Sequence, residues 1–128
     1  MKKLFIADAH QADYPLFQEH FSEEYELNFF DGADACFKTV RNIRNSEEEM
    51  PDVIIIDLRL PDFSGMELFN KLSPSLEDTQ FILMVPKEED HVLPDLIKAG
   101  IMNYVIKEGN FMGRVRSAVP KAQQLSLV

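Results

Sequence analysis

Three charged residues stand where apolar runs end: Asp8 after Leu4-Phe5-Ile6-Ala7, Asp57 after Val53-Ile54-Ile55-Ile56, and Lys107 after Tyr104-Val105-Ile106. An unbroken β-branched run such as Val53 to Ile56 suits a strand buried on both faces. A carboxylate cannot stay unpaired in such a core. Asp57 should therefore emerge at the C-terminal edge of its strand, where open α/β sheets place their ligands. Taken alone, the stretch fits an acid opening a solvated turn equally well. Two carboxylates brought close repel unless a cation or a proton intervenes. Magnesium suits that place, being a hard ion that takes oxygen ligands. A carboxylate so placed can attack phosphorus, while the metal and a lysine neutralise the transferred group.

The elements that must position these groups follow from periodicity. Strands are expected over 3–8, 25–30, 53–56, 80–85 and 102–106. Helices are expected between them. Asp13 is a cap for the first, with Pro15 in its opening turn. Ala33, Cys36, Phe37, Val40 and Ile43 share one helical face. A short helix follows over 65–72. The stretch 88–99 reads as a helix closed by Gly100, with Pro94 expected to shorten or kink it. Asn110 caps the last helix, where Phe111, Val115 and Val119 recur on one face and Pro120 should disturb the end. In the loop after Asp57, Pro61 fixes one φ and Gly65 is expected to supply an unusual one. His20, with no second His or Cys beside it, reads as a helix-face residue. Strands alternate with helices over short connections, which predicts an α/β fold. The expected form is a (βα)5 doubly wound, five-stranded parallel sheet of order 2-1-3-4-5, filling one domain over residues 1–128. In that order strands one and three are neighbours, and Asp8 faces Asp57.

Composition narrows the classes. The formal net charge of −9 argues against broad binding to nucleic acid or anionic membrane. Arg114, Arg116 and Lys121 lie near one helix and read as ion pairs or a partner surface. The single cysteine, Cys36, excludes an internal disulfide and agrees with a reducing cytoplasm. Met1-Lys2-Lys3 opens like a signal peptide, but the apolar run after it is too short, and no stretch is long enough to span a membrane. The acidic run at Glu47-Glu48-Glu49 reads as a solvated loop.

The stretch Pro51-Asp52-Val53-Ile54-Ile55-Ile56-Asp57-Leu58-Arg59-Leu60-Pro61-Asp62-Phe63-Ser64-Gly65-Met66-Glu67-Leu68 resembles the receiver domain of two-component response regulators. So do Lys98-Ala99-Gly100, the run Asn103 to Lys107, and Asp31-Gly32-Ala33-Asp34-Ala35. The resemblance implies that Asp57 is a phosphoacceptor and that Asp8, Asp57 and the backbone carbonyl of Arg59 hold Mg2+. It implies that Lys107 contacts the phosphoryl group, and that Tyr104 is the aromatic that changes rotamer on activation. The implied partners are a histidine kinase or phosphotransfer protein, and a downstream protein or output domain. The latter would bind through the face made by the fourth helix, fifth strand and fifth helix. Homodimerisation stays open. Any enzymatic activity would be limited to phosphorylation and dephosphorylation of Asp57.

Three departures from the family pattern stand out. Ala9 replaces the second acid after strand one, so Mg2+ should bind more weakly; His10 is not taken as a substitute ligand. Val85 replaces the Thr or Ser of the switch, and matches its shape but cannot make its hydrogen bond. Glu108 follows Lys107 where proline is usual, so a trans bond is expected, the non-proline cis form costing roughly 3 kcal/mol. The departures support an alternative, a receiver-like module that binds partners without phosphate. An aspartate-nucleophile phosphatase would need an acid where Arg59 stands. A flavin-binding protein would need a Ser, Thr and Gly-rich loop after strand one, and Asp8-Ala9-His10-Gln11-Ala12-Asp13 is not one.

Overall fold

Five parallel strands form one sheet in the order β2-β1-β3-β4-β5. They are β1 (Lys2–Ala7), β2 (Tyr25–Phe30), β3 (Val53–Asp57), β4 (Gln80–Pro86) and β5 (Tyr104–Lys107). The α-helices are α1 (Tyr14–Phe21), α2 (Ala33–Arg44), α3 (Gly65–Leu72), α4 (Leu93–Lys98) and α5 (Phe111–Leu125). The computed structural model describes the backbone of residues 1–125 and the side chains of residues 1–119.

Side chains alternate across a strand, and the two faces bury different partners. Phe5, Ala7, Ile54, Ile56, Leu83 and Val85 pack with residues of α2, α3 and α4. Leu4, Ile6, Val53, Ile55, Met84 and Val105 pack with Phe17 and Phe21 of α1 and with Met112, Val115 and Val119 of α5. Cys36 is fully buried in the first layer, and burial pushes its thiol up to about 12. It is a core residue, not a nucleophile.

Several boundaries differ from expectation. β5 begins at Tyr104, not Met102, because Gly100 at φ +100 closes α4 and Ile101 turns back to donate to Leu96. The stretch 88–99 is not one helix. A 3-10 run over Lys87–Val92 precedes α4, and Glu89 leaves helical geometry. Pro94 has no N–H to give the preceding turn, so the α-helix starts beside it. α5 continues past Pro120 to Leu125. Gly65 has no positive φ; among the described residues only Gly100 and Gly109 do. Gly65 is needed for closeness instead. A Cβ there would lie 2.2 Å from the Asp57 carbonyl oxygen and 2.8 Å from Ile56 Cγ2.

The loop from Leu58 to Ser64 is tied at both ends. Gly65 N–H donates to the Leu58 carbonyl, and the Ser64 hydroxyl accepts from Glu67 N–H as the cap of α3. Asp62 reaches sideways and accepts from Ala33 N–H and Asp34 N–H at 2.8 Å. It thereby caps α2, whose own cap position is Gly32 and offers no side chain. Burial works against the Asp62 charge, but the backbone donors of Asp34, Ala33 and Phe63 outweigh it and hold the carboxyl below its ordinary range.

Candidate functional site

Asp8, Asp57 and Lys107 meet for two reasons. Parallel pairing of β1 with β3 and β3 with β4 brings their C-terminal ends level, and β5 extends the row. Alternation then sends all three side chains to one face. Asp8 follows Leu4 and Ile6, Asp57 follows Val53 and Ile55, and Lys107 follows Val105, all packed on the α1 and α5 side.

The Lys107 ammonium lies 2.7 Å from Asp57 Oδ2 and 3.4 Å from both Asp8 oxygens. A third acid, Asp13, comes closest, its Oδ2 2.6 Å from the same Nζ. Asp13 stands where a cap for α1 is expected, but its side chain makes no capping hydrogen bond. It turns inward to the lysine instead, because the 3-10 turn Gln11–Asp13 delivers it to the face where Lys107 ends β5. Its Oδ2 is buried, in ionic contact with the ammonium. Asp8 and Asp57 are each steadied by the chain that follows. His10 N–H donates to Asp8 Oδ1, and Arg59 N–H donates to Asp57 Oδ1. The Tyr14 hydroxyl donates to the Asp8 carbonyl.

The charges do not balance. Three carboxylates around one ammonium leave two negative charges when all are ionised. Burial, and then the hydrogen-bonded neighbour Asp13, push the Asp8 carboxyl up to about 7. Burial works against the Lys107 charge, but the bonds to Asp13 and Asp57 and the charges of Asp57 and Asp8 prevail and hold it above its usual range.

Beside the cluster opens a cavity of about 400 Å³ lined by Asp8, Ala9, His10, Asp57, Arg59, Pro86, Glu88 and Lys107. Asp8 and Asp57 offer carboxylate oxygens to it, a donor set that suits a hard divalent cation. Among the described residues no group of three or more His, Cys, Asp or Glu is arranged to hold a metal. A backbone carbonyl, such as that of Arg59, and water would have to complete the shell. The Arg59 guanidinium is bonded to Glu88 and Glu89 at 2.8 Å.

The switch positions lie apart. Val85 is fully buried in the layer facing α2, α3 and α4. Tyr104 is 41% exposed and borders a shallow groove with Met102, Ile106, Glu108 and Arg114. The bond between Lys107 and Glu108 is trans. Arg114 donates to the carbonyls of Ile106 and Glu108, and Arg116 binds Glu24 at 2.8 Å and the His20 carbonyl. These arginines are spent inside the domain; the Lys121 side chain lies outside the described residues.

The family model for the response regulator receiver domain matches residues 4–116. The DNA-binding transcriptional activator DevR/DosR of Mycobacterium tuberculosis (strain ATCC 25618 / H37Rv) is 27% identical over 108 residues, 84% of this chain and 48% of that protein. The oxygen regulatory protein NreC of Staphylococcus epidermidis (strain ATCC 35984) is 29% identical over 110 residues, 82% of this chain and 47% of that protein. The chain thus spans about half the length of these curated relatives. Among solved structures, a CheY-like receiver domain from Methanospirillum hungatei JF-1 superimposes with a TM-score of 0.82 at 19% identity, covering 99% of this chain and 97% of that one. The response regulator TrrA from Thermotoga maritima, solved with Mg(2+)-BeF, gives 0.77 at 24% identity, covering 95% and 99%. At these identities the structures speak for the fold, while the family match extends over nearly the whole chain. Receiver domains generally bind Mg2+, in keeping with the two carboxylates facing the cavity. With that match, that sheet order and three acids gathered on one lysine at its C-terminal edge, the chain belongs to the receiver domains of two-component response regulators.

Proposed function

We propose that this receiver domain accepts a phosphoryl group on Asp57 from a phosphohistidine donor. The observation that carries the reading is the Asp57 carboxylate, bonded to Lys107 at 2.7 Å and opening on the cavity that Asp8 also lines. In the transfer an Asp57 oxygen forms a bond to phosphorus as the phosphorus–nitrogen bond of the donor breaks, and the departing imidazole keeps the electron pair and takes up a proton. Arg59 N–H fixes the carboxylate plane, and Lys107 offers its charge to the phosphoryl oxygens. Asp8, Asp57 and the Arg59 carbonyl would hold magnesium, which when bound neutralises charge on the transferred group. Ala9 leaves that ion one carboxylate fewer, so it binds more weakly. The domain acts in the cytoplasm, with a histidine kinase or phosphotransfer protein upstream and a partner protein or output domain on the face of α4, β5 and α5.

One observation favours a second reading, a module that binds its partner without phosphate. Val85 sits in an apolar layer with no hydroxyl to draw towards a phosphoryl oxygen. Calorimetry with magnesium and beryllofluoride, a phosphoryl mimic, tests the first reading. Saturable heat from the native chain and none from Asp57→Asn is expected; no heat from either contradicts it.

A further inference from the structure

The Lys107 ammonium has three N–H donors, and three carboxylates surround it within 3.4 Å. An incoming phosphoryl oxygen must therefore compete with three carboxylates for this one ammonium. Asp57 and Asp8 line the cavity from which that oxygen must come, whereas Asp13 is not among the lining residues. The Asp13 side chain is 6% exposed, with the Asp8 carboxyl as its other neighbour. Asp13 therefore approaches Lys107 from the closed side, makes its shortest contact, and takes up its charge from behind.

We propose that Asp13 is a positioning residue that draws Lys107 back from the phosphoryl position and so slows phosphorylation of Asp57. The proposal rests on the reading that Asp57 accepts the phosphoryl group. Two effects of Asp13 point the same way. Its ion pair competes with the phosphoryl oxygens for the ammonium. Its charge also adds to the repulsion that an anionic donor meets at a cluster already rich in carboxylates.

The test compares initial rates of phosphorylation by acetyl phosphate at saturating magnesium, for the native chain, Asp13→Asn, Asp13→Ser and Asp13→Glu, with folding checked by circular dichroism. Losing this ion pair at 2.6 Å is worth about a tenfold change in rate. The two neutral variants are expected to react about that much faster and to half-saturate at lower acetyl phosphate, while Asp13→Glu stays near the native rate. Damage of a merely structural kind would slow the neutral variants instead. If the native chain is silent but Asp13→Asn accepts phosphate on Asp57, the proposal stands and the reading falls for the native chain. If the native chain reacts and the neutral variants are no faster, the proposal falls and the reading survives. That result, with more magnesium needed for half-maximal rate, assigns Asp13 to the cation instead. If no form is phosphorylated, both fall.

Discussion

Lys107 carries one positive charge into contact with three carboxylates, and Asp8 bears the imbalance. Its carboxyl, raised to about 7 against an ordinary 3.8, holds a proton in the folded chain that the unfolded chain has already lost between those two values. Folding thus binds protons in that window, and stability drains away as pH rises through it. Asp8→Asn removes the penalty. In metal-free buffer the variant should be more stable than the native chain by about 1–3 kcal/mol at pH 8, with the gain shrinking towards pH 5. Urea unfolding at both values measures it; a variant less stable at pH 8 contradicts the charge imbalance. Much of this cluster was legible in the residues. Asp8, Asp57 and Lys107 each end an apolar run, and each shares the parity of inner-face residues, so convergence followed once the strand order was set. Asp13 was not legible. An acid before a helix usually caps it, and only the turn at Gln11–Asp13 sends this one inward.

At the scale of elements, α3 packs so tightly on the end of β3 that Gly65 leaves no room for a Cβ beside the Asp57 carbonyl. Gly65→Ala is expected to cost about 2–3 kcal/mol through overpacking against backbone. Gly113→Ala in α5 is the contrast. Its Cβ would meet only the Asn110 side chain at 3.5 Å, so a gain of about 0.5–1 kcal/mol in helix propensity is expected. Denaturant midpoints for the pair decide the matter; equal effects would remove close packing as the reason for Gly65. Periodicity located the strands well because each is a short apolar run with punctuation on both sides. Over 88–99 it missed the 3-10 run, where Glu89 leaves helical geometry, while the shortening expected from Pro94 is seen in α4 starting beside it. The β5 boundary failed similarly, since Ile101 is buried without being part of a strand.

Over the whole molecule, two apolar layers fix the sheet, and the C-terminal edge is the place where charge is gathered. The formal net charge over the whole chain is −9. Among the described residues no helix is long and apolar enough to cross a membrane. The fold class was readable from alternation and connection length; the strand order was not, since a doubly wound sheet takes more than one. The departures at Ala9 and Val85 were readable too, though only structure shows that Val85 stands in a dry layer and Tyr104 outside it. Phosphoryl transfer to Asp57 is the function we propose from these features. Intact-mass measurement after incubation with magnesium and acetyl phosphate tests it most directly, with Asp57→Asn alongside. One added phosphoryl group on the native chain and none on the variant is the expected result. An unchanged native mass at saturating magnesium, or an equal gain in both chains, would contradict it.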